Sequence, residues 1–112
     1  MDIHTFTDSP DHENPFPSSR QRRVLFSLGQ VVATPGALEL LSRHSLSAFS
    51  FLARHATGDW GCVCPEDATE NERAVKNGCR ILSAYDITGE HRIWVITEWN
   101  RSVTTLLRPE DY

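Results

Sequence analysis

An α+β domain is the fold class this sequence predicts, and three observations carry the prediction. Three segments with helix start and stop signals stand together between residues 34 and 78. Strand-like runs with turn signals between them then fill residues 79–107. Helices followed by strands, rather than alternating with them, point to segregated layers. The expected architecture is short helices packed on a small antiparallel sheet that ends in a C-terminal three-stranded meander.

Residues 1–21 hold Pro10, Pro15 and Pro17 among Asp, Asn, Ser and His, with no apolar period, and read as a flexible N-terminal tail. Phe6 and Phe16 could dock on the body. The basic cluster Arg20–Arg23 reads as a solubilising flank, and residues 22–112 as one small globular domain. "VLFSLGQVVAT" has the composition of a first strand, with Gly29 as a bulge or bend. In "TPGALELLSRH", Thr34 suits an N-cap and Pro35 the first helical position, with Leu38, Leu40 and Leu41 inward. The second helix lies in "SLSAFSFLARHATGDWG", capped by Ser45 or Ser47, with Phe49, Leu52 and Ala53 as its apolar face. The third is "CPEDATENERAVKNG", stopped by Gly78, with a thin apolar face of Ala68, Ala74 and Val75. Glu70, Asn71, Glu72 and Arg73 read as its solvated side.

"CRILSAYDI" alternates, with Ile81, Ser83, Tyr85 and Ile87 on one face. "TGEH" signals a turn, and "RIWVITEW" continues with Ile93, Val95 and Thr97 on one face. After "NRS", "VTTLL" supplies the last strand.

Composition narrows the function classes. The chain has 112 residues, a formal net charge of −4 and 39% hydrophobic residues. That balance disfavours broad electrostatic binding to nucleic acid or anionic membrane. No apolar run approaches the roughly 20 residues of a membrane span. The acidic start lacks the apolar core of a secretory signal, so a cytoplasmic location is expected. The odd set Cys62, Cys64 and Cys79 does not read as a disulfide framework.

"TPGAL", "RHATGDWG", "NERAVKNGCRILSAY" and "WVITEWNRSVTTLLRPEDY" together resemble a family of small, mostly uncharacterised bacterial proteins. These are encoded on plasmids, phages and related mobile elements and are often labelled "plasmid-related protein". The family's last block usually reads I-T-E-A-D-R-S. Here Trp99 and Asn100 stand where Ala and Asp are expected, which removes one acid. The resemblance implies a genetic context and no reaction.

Two segments gather the candidate groups. "HATGDWG" offers His55, Thr57, Asp59 and Trp60, and "TEWNRSVTT" offers Glu98, Trp99, Arg101, Ser102 and Thr104. A His and a Glu flanking an Arg is a minimal set for metal-independent RNA cleavage. One group takes the hydroxyl proton, another protonates the leaving oxygen, and Arg holds the phosphate. His55, Glu98 and Arg101 are therefore the catalytic candidates. The competing reading is structural: His55 at a helix end, Asp59 in a turn, Glu98 paired with Arg101 across a turn, and Trp60 folded onto the core. As a binding surface, the candidates are Trp60, Asp59, Trp99, Arg101, Ser102 and Thr104, with loop-borne Trp beside Arg as the anchor. Cys62-x-Cys64 with Cys79 and His55 offers zinc-type ligands, but structural zinc sites space their cysteine pairs more widely. No metal and no cofactor are expected, and the thiols read as reduced and partly buried. A nucleophilic Cys–His pair lacks a recognisable motif, as do nucleotide-phosphate loops and zincins.

The expectation is an accessory protein of a mobile genetic element that binds a macromolecular partner, a protein by preference. Interference with host defence is one such role. Nucleic acid is disfavoured by charge, and no membrane partner is expected. The alternative is a nuclease or toxin-like enzyme using the His/Glu/Arg set.

Overall fold

The computed structural model describes residues 4–5 and 23–112. In chain order these form β1 (His4–Thr5), β2 (Gln30–Ala33), α1 (Pro35–Arg43), α2 (Ala48–Ala56), α3 (Pro65–Asn77), β3 (Ile81–Thr88), β4 (His91–Thr97) and β5 (Val103–Leu107). A 3-10 turn, Pro109–Asp111, closes the chain. The fold is α+β, as expected, and β3, β4 and β5 form the antiparallel meander. The sheet runs β1-β2-β5-β4-β3. It is mixed, because β2 enters parallel to β5. Apart from His4 and Thr5, which pair with Ala33 and Val32, the reading of residues 1–21 as a tail lies outside the described residues. So does the docking of Phe6 and Phe16. No helix among the described residues is long and apolar enough to cross a membrane.

The helices begin where their caps place them. Thr34 has extended backbone, its Oγ accepts from the Ala37 amide at 3.1 Å, and Pro35 follows it. Ser47 does the same for α2 through the Phe49 amide. Gly78 ends α3 in the left-handed region, at φ 74°. The inward stripe of α2 differs from the expected one. Phe51, Leu52, His55 and Ala56 are buried, whereas Phe49 is 55% exposed. With Ala48 opening the helix, residues 51 and 55, one turn apart, face the sheet, and Phe49 is on the far side. The first strand is also shorter than expected. Gly29 has φ 66°, and a Cβ there would collide with the carbonyls of Arg101 and Ser102. The backbone before β2 therefore packs against the β4–β5 turn and is not in the sheet.

The main core lies between α1, α2 and the sheet, where Leu40, Leu41, Phe51 and Leu52 meet Tyr85, Ile93, Val95 and Leu106. A second cluster joins Phe26, Trp60, Ala74 and Ile81 beneath α3. The Arg108 carboxylate partner Asp111 also accepts from the Thr34 hydroxyl at 2.7 Å, tying the closing turn to the α1 N-terminus. That guanidinium holds the Asp111 carboxyl well below the usual carboxylate range.

β3 is an edge strand, and at Leu82 and Ala84 its outward backbone groups are satisfied by other parts of the chain. The Ala84 amide donates to Trp60 O, and its carbonyl accepts from the Cys62 amide. One residue pair along, Asn71 bonds both backbone groups of Leu82. Its side-chain amide donates to Leu82 O at 2.8 Å, and its Oδ1 accepts from Leu82 N at 3.2 Å. Asn71 is thus buried and corrects its placement on the solvated side of α3. It stands in for a neighbouring strand and pins α3 to the sheet. Asn71→Ala leaves both Leu82 groups without these partners and is expected to lower stability by about 2 kcal/mol, read from urea unfolding.

Candidate functional site

Position 55 falls in the last turn of α2, on the stripe that faces β3 and β4. Ser83 and Thr97 are inward positions of those strands, so their hydroxyls meet the ring. His55 is fully buried, with Nδ1 2.6 Å from Ser83 Oγ and Nε2 2.9 Å from Thr97 Oγ. Thr97 lies opposite Thr104 in the β4–β5 register, and their hydroxyls are 2.6 Å apart. Thr104 donates to the Leu28 carbonyl at 2.7 Å.

That last bond sets the direction of every other. A carbonyl can only accept, so the Thr104 proton points to Leu28, and Thr104 must accept from Thr97. Thr97 then accepts from His55 Nε2–H, and the unprotonated Nδ1 accepts from Ser83. The ring is held neutral, in a single tautomer. Burial, and secondarily the nearby Arg101 charge, push its pKa down to about 3. Aromatic rings complete the enclosure: Phe26 meets His55 edge-on at 5.2 Å, and Trp60 does so at 6.1 Å.

Arg101 sits apart from this relay. It occupies the left-handed region at φ 60°. Its guanidinium donates to Cys79 O at 2.6 Å, Ala74 O at 2.7 Å and Glu98 O at 3.1 Å. It also lies 5.5 Å over the Phe26 ring. The side chain therefore fastens the β4–β5 turn to the Ala74 carbonyl in the last turn of α3 and to the Cys79 carbonyl just beyond the helix. Glu98 does not pair with Arg101 across the turn. Its carboxylate is 3.5 Å from Arg80. Within the turn, the Arg101 amide donates to Glu98 O, and Asn100 Oδ1 accepts from both the amide and the hydroxyl of Ser102.

His55, Glu98 and Arg101 consequently form no open acid–base site. His55 is sealed with both nitrogens occupied, and Arg101 is committed to backbone carbonyls. Comparison with family models, with curated proteins and with solved structures finds no match for this chain.

The binding candidates divide in the same way. Thr104 is fully buried in the relay. Trp60 is 5% exposed, stacked near Phe26 at 6.3 Å, and its indole N–H donates to Glu72 at 2.9 Å. Neither belongs to a surface. Asp59 is engaged with Arg54 at 2.7 Å and accepts from the Gly61 amide. Its carbonyl accepts from the Tyr85 hydroxyl, whose pKa burial pushes up to about 12. Ser102 is exposed but turned to Asn100. Trp99 is 65% exposed at the tip of the fastened turn. The three cysteines are free and exposed rather than partly buried. Among the described residues, no three of His, Cys, Asp and Glu converge as a metal-binding group.

Reading the sequence missed Ser83, Asn71 and Arg80 as partners. A signal existed for the first. Ser83, Thr97 and Thr104 are polar residues at inward positions of alternating strands, and a buried hydroxyl demands a partner.

The relay carries a pH dependence. The unfolded chain binds a proton at this ring near pH 6.5, the folded chain only near 3. Full stability is present above pH 6.5 and is lost as pH falls from there toward 3, at up to about 1.4 kcal/mol per pH unit. Urea unfolding is expected to show a loss of about 2 kcal/mol between pH 6.5 and 5, absent in His55→Gln.

Proposed function

We propose that this domain acts by binding a protein partner, with Trp99 as the anchoring side chain. The observation that carries the reading is the pairing of exposure and rigidity at one turn. Trp99 is 65% exposed, yet the residues around it are fixed by Arg101, by the Arg80–Glu98 pair and by the Gln30 amide bonded to Ser102 O at 3.0 Å. An indole carried on a fastened turn brings large apolar area to an interface with few torsions to fix. Aromatic anchors of this kind are enriched among the residues that dominate binding energy. On this reading the protein is an accessory factor of a mobile element, with a host or element protein as its target, as the resemblance in the sequence implies.

The scaffold needs no contribution from the Trp99 ring, because the fastening groups are Arg101, Glu98 and Asn100. Trp99→Ala is therefore expected to leave the melting temperature within about 2 °C of the parent. It is expected to weaken partner capture by at least about thirtyfold when both proteins are used as bait in parallel. A stable partner held equally by both proteins would contradict the assignment.

A further inference from the structure

Charge is unevenly placed around the Trp99 turn. Residues 76–80 and 98–103 contain Lys76, Arg80 and Arg101 and one acid, Glu98. Ten of the eleven acids among the described residues lie outside these two stretches. The stretches are joined in space, since Arg101 bonds the Cys79 carbonyl and Arg80 pairs with Glu98. The nearest other acid in sequence, Glu72, is turned to the Trp60 indole. The only exposed indole of the described chain therefore stands at the basic end of an otherwise acidic protein.

We infer that the partner contact at Trp99 is an acidic protein segment carrying an apolar or aromatic side chain. This rests on the reading of Trp99 as a binding anchor and names what it binds. The apolar side chain packs on the indole, while carboxylates face Lys76 and Arg80. Opposite potentials of this kind set orientation and selectivity and speed encounter. Single-stranded nucleic acid fits the same end less well. It is bound on successive stacking aromatics along a positive groove, whereas this turn offers one indole, and Arg101 already serves backbone carbonyls.

The test is to pan a random-peptide display library on the full chain and to measure the selected peptides against variants. The expected result is enrichment of Asp and Glu beside a Trp, Phe or Leu. Affinity should fall at least about tenfold in Trp99→Ala and about fivefold in Lys76→Glu/Arg80→Ser. It should also weaken as salt rises from about 0.05 to 0.3 M. Peptides that depend on Trp99 but show no acidic preference would overturn the acidic assignment and leave the Trp99 anchor standing. Selection of no peptide sensitive to Trp99→Ala would overturn both. Trp99-dependent binding of single-stranded oligo(dT) tighter than any selected peptide would overturn the protein partner itself.

Discussion

The chain of hydroxyls through His55 is the constraint on which the rest of the molecule depends. It runs from Ser83 on β3, through α2, to Thr97 on β4, Thr104 on β5 and the carbonyl of Leu28. Five separated parts of the chain thus meet in one directional network. Each buried donor and acceptor in it has a partner, and the loss of any member would leave another unsatisfied at roughly 1–3 kcal/mol. Such a network specifies a register as well as contributing stability. A slip of one residue in β4 or β5 would send Thr97 or Thr104 to the opposite face and leave the imidazole alone in an apolar core.

The same network fixes the base of the β4–β5 turn. Thr97 and Thr104 are the last paired residues before the chain reverses, so Glu98 to Ser102 start and end on immobile supports. Arg101 then closes the turn from the other side by bonding the Ala74 carbonyl of α3 and the Cys79 carbonyl just beyond it. The cost of its left-handed backbone is of order 1 kcal/mol, offset by three charge-assisted hydrogen bonds to the carbonyls of Ala74, Cys79 and Glu98. Asn71 plays the parallel part at the β3 edge. In both cases a polar side chain that looks solvated in the sequence satisfies backbone groups of a distant element. Of the candidate binding residues, Trp99 is the large aromatic that this bonding leaves exposed, at the tip of the fastened turn.

Much of the fold was legible because its signals are local. Thr34-Pro35, Ser47 and Gly78 mark helix ends by their own chemistry, and the alternation from Ile81 to Thr97 marks strands by period. The parallel entry of β2 was not legible, because nothing in "QVVA" states which edge it joins or in what direction. The site was legible as a set of residues and misleading as a set of roles. His55 and Glu98 are separated by the relay that buries one and the ion pair that engages the other. Only the contacts at sequence separations of 28 and 42 residues reveal that the histidine is a core group. Trp60 and Trp99 look alike in sequence, each in a polar segment. The first lies beneath α3, where Phe26 and Glu72 receive it, and the second projects from a hairpin tip.

The most direct test of a sealed, structural His55 is the long-range proton–nitrogen NMR spectrum of its ring. Across pH 8 to 5, His55 should show the neutral Nε2–H tautomer with unchanging nitrogen shifts. A His55 ring that titrates near pH 6.5, or that populates the Nδ1–H tautomer, would contradict both the direction of the relay and the exclusion of this residue from acid–base chemistry.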